Sequence, residues 1–208
     1  MAENVIVINF DVESEAYQAF SDLKRIAVNP EFVISEACIL KNVGGRMITR
    51  DFFDSGAETR DDANKGGLIG SLAGVLGGPL GIILCSGLGY IIGRTKDMAD
   101  KEKNATLIER VCALIPEGAT ALVALASEME YNSIDMRIEK FSSHITRLDA
   151  AEIAEEVEKA REIQRQIAKE ARQKLREEKK KEAKQKVEER RAKMKADFDR
   201  LKAKIARK

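Results

Sequence analysis

No tryptophan occurs in this sequence, and phenylalanine and tyrosine together supply only 5% of it, which argues against a core built around large aromatic side chains. A single histidine, His144, leaves a histidine-built metal site or an imidazole acid–base pair without its parts. The three cysteines, Cys38, Cys85 and Cys112, stand apart among apolar neighbours with no Cys-x-x-Cys spacing, so they are expected to be small buried hydrophobes. There is no Walker phosphate loop, no G-x-S-x-G elbow and no zinc-ligand spacing. Gly87-Leu88-Gly89 with Gly93 superficially matches a dinucleotide loop, but the spacing is one residue too long and no strand precedes it. Asp61-Asp62 and Asp97 with Asp100 are expected to be helix-end and solubility charges rather than cation ligands. The chain is therefore expected to be no enzyme and to hold neither cofactor nor metal.

The start, MAENVIVINFDVE, lacks a basic region before its short apolar run, which predicts no secretory signal and a reducing, cytoplasmic setting. In that setting the glycosylation pattern at Asn104-Ala105-Thr106 is accidental. A chain of 208 residues accommodates one domain of about 100 to 150 residues plus an appendage. The net charge of +1 hides an asymmetry: residues 1–149 carry 15 Lys/Arg against 22 Asp/Glu, whereas 150–208 carry 21 against 13. Such a division suits attraction between tail and body of neighbouring copies, or a tail that seeks an acidic surface such as phospholipid or nucleic acid. A solvated helix with mixed charges stays equally open.

Residues 66–93, GGLIGSLAGVLGGPLGIILCSGLGYIIG, hold ten of the fourteen glycines and no charged residue. Gly66, Gly70, Gly74 and Gly78 recur at every fourth position, and Gly77, Gly81, Cys85, Gly89 and Gly93 form a second ladder of small residues. On a helix each ladder is a flat stripe that lets backbones approach closely, and all are expected to be helix-packing positions. Proline at Gly77-Gly78-Pro79 breaks the run into two arms of about 12 to 14 residues. Each arm is about 20 Å long, short of a hydrocarbon core of about 30 Å, although one kinked helix over the whole run would span it.

Around this stretch, a β-branched run at 5–10 predicts a buried strand, and the spacing of Ala19, Phe20, Leu23, Ile26 and Ala27 an amphipathic helix stopped at Asn29-Pro30. Strands over 32–43 and 46–53 flank Gly44-Gly45, a two-residue hairpin turn. A helix over 101–115 ends at Pro116-Glu117-Gly118, and 119–126 forms another buried strand. A short helix within 131–141 and an edge strand over 144–148 complete the body. Without the glycine arms the order is strand, helix, strand, strand, helix, strand. That is the order of a ferredoxin-like split βαβ sandwich, an α+β fold spanning 1–148 with an insertion at 57–98.

Residues 149–208 contain neither proline nor glycine and predict a single long charged helix of about 88 Å. Its apolar stripe runs Ile153, Val157, Ala160, Ile163, Ile167, Ala171 and Leu175, then thins to Ala183 and Val187 before Met194, Phe198, Leu201 and Ile205. The early advance of about 3.67 residues per turn favours a straight or slightly right-handed bundle. The stripe is the candidate for tail association, with a solvated single helix as the alternative. Lys179, Lys180, Lys181, Arg190 and Arg191 are candidates for contact with an acidic surface. Glutamates interleave them and no aromatic residues do, so sequence-specific nucleic-acid recognition is not expected.

The opening VIVINFD, the hairpin before a glycine-rich run, and the block LIERVCALIPEGATALVAL together resemble a bacterial family of unknown function described as predicted membrane proteins. In that family a ferredoxin-like domain carries a glycine-zipper segment. The resemblance covers about residues 3–160 and leaves the charged tail outside it. It implies a membrane-associated protein with no catalytic residues to carry over. The expectation from residues and resemblance together is a self-assembling structural protein, a homo-oligomer at the inner face of the membrane. The alternative is a ferredoxin-like module that binds a small regulatory ligand.

Overall fold

The computed structural model describes residues 3–57, 67–85 and 105–205, excluding the side chains of 183, 192, 193 and 195–205. In chain order the elements are β1 (Glu3–Phe10), α1 (Glu13–Arg25), β2 (Phe32–Val43), β3 (Arg46–Asp54), α2 (Leu68–Leu76), α3 (Pro79–Cys85), α4 (Leu107–Leu114), β4 (Thr120–Glu128), α5 (Ser133–Ile138), β5 (Ser143–Asp149) and α6 (Ala150–Ile205). The first helix ends at Arg25, before the expected Ile26 and Ala27, and Asn29 holds the turn that follows: its Nδ2 donates to the Ile26 carbonyl while its Oδ1 accepts from the amides of Glu31 and Phe32. Gly44 and Gly45 take φ of 61° and 77°, the left-handed pair that a two-residue hairpin turn requires. Thr106 and Glu109 form a reciprocal capping box at the start of α4, which fixes its first turn at Leu107. Residues 101–104 of the helix expected over 101–115 lie outside the described residues.

The five strands form one sheet in the order β3-β2-β4-β1-β5, every neighbouring pair antiparallel. The fold is α+β, and β1-α1-β2 is a split unit because β4 lies between its two strands. In a ferredoxin-like sheet β3 would occupy that place; here β3 is an edge strand and β5 forms the opposite edge. The runs along β1 and β4 show what differs. Val5 and Val7 face one core while Ile6, Ile8 and Phe10 face the other, and Ala121, Val123 and Leu125 oppose Leu122, Ala124 and Ala126 in the same way. Strands that are apolar on both faces need cover on both. Ala16, Ala19, Phe20 and Leu23 of α1 with Ile134 and Ile138 of α5 supply one layer. Ile69, Leu72, Val75 and Leu76 of α2, Ile108 and Val111 of α4, and Ile153, Val157 and Ala160 of α6 supply the other.

By its contacts the chain divides into two units, Met1–Gln164 and Arg165–Lys208. The first contains the sheet and the start of α6, because Ala150, Ile153, Val157 and Ala160 are core residues. Ile153 and Val157, expected to serve association between tails, are thus used inside their own chain, where burial of each side chain contributes roughly 1.5 to 3 kcal/mol. The second unit, where described, is helix.

Candidate functional site

The glycine segment splits where the sequence predicts. α2 and α3 meet at Gly77-Gly78 with a bend of 72°. No single helix among the described residues is long and apolar enough to cross a membrane; only this bent pair meets the length and composition of a span.

The two ladders do different work. On the second, an added Cβ at Gly77 would lie 3.1 Å from the Met47 carbonyl oxygen of β3, and one at Gly81 only 2.0 Å from the Leu76 carbonyl oxygen. Both contacts are with backbone: Gly77 lets the end of α2 approach β3, and Gly81 lets the corner between α2 and α3 close upon itself. Cys85 continues that ladder but forms a disulfide with Cys112 of α4, with Cα atoms 4.9 Å apart. That corrects the expectation that Cys85 and Cys112 are separate small hydrophobes; folding brings together two thiols 27 residues apart in sequence, which spacing alone does not show. Cys38 is a buried free thiol. Burial, with the charge of nearby Glu36, pushes it up to about 12.

On the first ladder, Gly70 and Gly74 are exposed while α2 turns Ile69, Leu72, Ala73, Val75 and Leu76 inward. A Cβ at Gly74 would meet nothing within 4 Å, and one at Gly70 only the Phe52 ring at 3.9 Å. Gly78 is half-buried, and a Cβ there would lie 2.3 Å from the end of the Gln164 side chain. Gly66, Gly89 and Gly93 lie outside the described residues.

Three glutamates hold the helices in place, and the sequence reading singled out none of them. Glu36 of β2, only 3% exposed, accepts from the Ile69 and Gly70 amides at 3.1 and 3.2 Å, at the start of α2. Glu156 of α6 accepts from the Leu107 and Ile108 amides, both at 3.0 Å, at the start of α4. Glu128 accepts from the Ile134 amide at 3.0 Å. Each carboxylate satisfies orphan donors and faces the positive end of a helix. Glu128 also pairs with Arg147 at 2.7 Å, both side chains nearly enclosed, and Arg147 reaches Asp135 and lies 4.6 Å from the centre of the Tyr131 ring. Burial works against the Arg147 charge, but the bonds to Glu128 and Asp135 outweigh it and hold the guanidinium above its ordinary range. A lone Glu inside the apolar run FVISEACIL was the visible signal for the first of these caps.

One cavity of about 390 Å³ opens between the β2–β3 turn and the ends of α3 and α4. Gly44-Gly45, the Cys85–Cys112 disulfide, Asn42 and Glu117 line it. Asn42 positions the loop beneath: its Nδ2 donates to the Ile115 carbonyl at 2.8 Å, and its backbone carbonyl accepts from Gly118. Its Oδ1 is buried with no donor.

Along α6, Ile163, Leu175 and Val187 are exposed, and Ile167 is half-buried. The side chains of Phe198, Leu201 and Ile205 lie outside those described. Lys179, Lys180, Lys181, Arg190 and Arg191 are exposed. His144 is exposed on the edge strand β5. Among the described residues no group of three or more His, Cys, Asp or Glu could hold a metal ion. Comparison of the chain with protein-family models, curated proteins and solved structures finds no match.

Proposed function

We propose that this protein is a non-enzymatic, self-assembling scaffold that associates with membrane surfaces. Copies join through the glycine stripe of α2 and through the tail. The observation that supports this reading most is the outward aspect of Gly70 and Gly74. Glycine inside a solvated helix costs about 1 kcal/mol against alanine, and neither position needs a missing Cβ for packing within its own chain. A close approach by another helix gives that absence a use. Exposed Leu175 and Val187 offer a second contact, and the exposed lysines and arginines of the tail suit an anionic surface.

The experiment is fractionation of the native protein after an alkaline carbonate wash, with particle size measured on whatever remains soluble. Pelleted protein that dissolves only in detergent supports insertion of the glycine arms; large soluble particles support assembly through protein contacts alone. Monomers in both fractions overturn the scaffold reading. The rival reading, a module for a small ligand, draws on the cavity at Asn42 and predicts a particle size that Gly70→Leu with Gly74→Leu, both at exposed positions, leaves unchanged.

A further inference from the structure

Three large apolar side chains stand in water at one corner of the sheet, around the end of β4: Tyr131, Met129 and Met136, which are 75%, 61% and 56% exposed. Arg147 gathers them. Its guanidinium lies 4.6 Å from the centre of the Tyr131 ring and bonds the carboxylates of Glu128 and Asp135, the residues that precede Met129 and Met136. With only 6% of its own side chain exposed, Arg147 makes this a supported platform rather than a loose loop. The corner is also acidic, since residues 127–139 carry four carboxylates against one guanidinium. Arg147 engages Glu128 and Asp135, so Glu130 and Glu139 supply the exposed negative charge. Adaptable methionines beside a tyrosine, rimmed by carboxylates, suit the apolar face of a basic amphipathic helix.

The chain contains such a helix. Residues 165–176, RQIAKEARQKLR, carry five Lys/Arg against one glutamate, and all are part of α6. Ile167, Ala171 and Leu175 recur there at four-residue spacing on one face, with Leu175 52% exposed and with Arg172 and Lys174 on the two flanks. We infer that the corner of Met129, Tyr131 and Met136 on one copy receives the 165–176 stretch of a second copy. Leu175 and Ile167 cover the methionines and the tyrosine, and Arg172 and Lys174 face Glu130 and Glu139. Two such corners repel each other, as do two such tails, so charge favours the pairing of unlike surfaces. Each copy offers one of each, and a contact of this kind passes from copy to copy without having to close. The inference rests on the assembly reading of the tail, to which it gives a partner, and does not involve the glycine stripe.

The test uses the full chain, mixed from isotopically light and heavy copies, and a carbodiimide, which joins a carboxylate to a lysine in contact with it. Cross-links from Glu130 or Glu139 to Lys174 that join a light to a heavy copy are expected, and their yield should fall severalfold between about 50 and about 500 mM salt. Tyr131→Ser with Met136→Ser, both at exposed positions, should lower that yield at least about tenfold while circular dichroism stays unchanged. A charge exchange provides a control that does not depend on those side chains. Glu130→Lys with Glu139→Lys makes one variant, and Arg172→Glu with Lys174→Glu makes another; neither alone should cross-link between corner and tail. An equal mixture of the two should join position 130 or 139 of the first to position 172 or 174 of the second, which supports the inference. Cross-links confined to single copies, a mixed yield indifferent to the substitutions, or links from Glu130 and Glu139 to lysines outside the tail overturn it. If particles persist in light scattering without these cross-links, copies join elsewhere and the scaffold reading stands; if only monomers are seen, both readings fall.

Discussion

The carboxylate of Glu36 occupies the space where Gly67 would carry a side chain: an ideal Cβ on Gly67 would lie 1.4 Å from Glu36 Oε1. Gly67 has an ordinary φ of −52°, so backbone strain has no part in the requirement. What the glycine provides is room for a buried cap at the start of α2. Gly67→Ala should therefore lower stability by about 1 to 3 kcal/mol, because the carboxylate must leave its two amides or overpack the site. In a Glu36→Ala background the same substitution should cost little. Equal costs in both backgrounds, measured by urea unfolding, would show that the contact does not govern the site.

A second prediction concerns the disulfide. Joining residues 27 apart restricts the unfolded chain by about 3.5 kcal/mol on the loop-entropy account. Replacing Cys85 and Cys112 together by serine should lower stability by roughly that amount. Adding a strong reductant to the parent protein should reach the same value. If the midpoint of denaturation is indifferent to both treatments, the cross-link contributes nothing to folding.

Cys38 makes a prediction about alkaline pH. Its ordinary value of 9.0 applies to the unfolded chain, and burial raises it to about 12 in the folded one. The folded state then holds a proton that the unfolded state has lost. This contribution to stability is complete below pH 9 and declines as pH rises to 12, at no more than about 1.4 kcal/mol per pH unit. Cys38→Ala should be less stable at neutral pH and should show a shallower decline than the parent across that window. Parallel curves for the two proteins would remove Cys38 as the cause.

Arg147 and Glu128 form the most enclosed ion pair among the described residues, with 6% and 4% of their side chains exposed. Arg147→Met alone strands the Glu128 carboxylate inside the protein and should cost about 3 to 5 kcal/mol. Combining it with Glu128→Gln should recover part of the loss, because the amide oxygen still accepts from Ile134 and the one carboxylate left without its partner, Asp135, is 40% exposed. Thermal unfolding of the two variants decides it: a double variant no more stable than Arg147→Met shows that the pair is not the unit.

How much of this was legible in the sequence depends on distance along the chain. The hairpin at Gly44-Gly45 and the break at Gly77-Gly78-Pro79 are local matters of backbone conformation, and they stand where the residues place them, whereas the first helix ends at Arg25, short of the stop expected at Asn29-Pro30. The order of strands is not local. Strand, helix and hairpin in sequence are compatible with β3 or β4 between β1 and β2. The continuous apolar runs of β1 and β4 required helices on both faces, a requirement that the expected sandwich does not meet. The caps from Glu36 and Glu156 and the Cys85–Cys112 bond join residues 27 to 49 positions apart, beyond the reach of periodicity. The tail stripe was visible as a stripe, but nothing in its spacing tells where Ile153 and Val157, buried at home, give way to exposed Ile163.

That division of the glycine ladders sharpens the test of assembly. Gly81 is a poor place to probe contacts between copies, because any side chain there strikes the Leu76 backbone and would undo the corner of α2 and α3. A substitution at Ser71, between Gly70 and Gly74 on α2, would disturb packing within the chain, since Arg161 donates to its hydroxyl at 3.2 Å. Gly70 and Gly74 are the informative pair, one beside the Phe52 ring and the other open. In an isolated chain Gly74→Ala should raise stability by up to about 1 kcal/mol through helix propensity, with no clash to offset it. If another helix crosses at this stripe, Gly70→Leu with Gly74→Leu should force the backbones apart at about 1 to 3 kcal/mol per contact, repeated at every subunit. The expected outcome is a folded protein, unchanged in circular dichroism, whose particles shrink in light scattering. A double variant that keeps the parent's particle size would show that copies do not meet at Gly70 and Gly74, and the assembly surface would have to be sought along the tail.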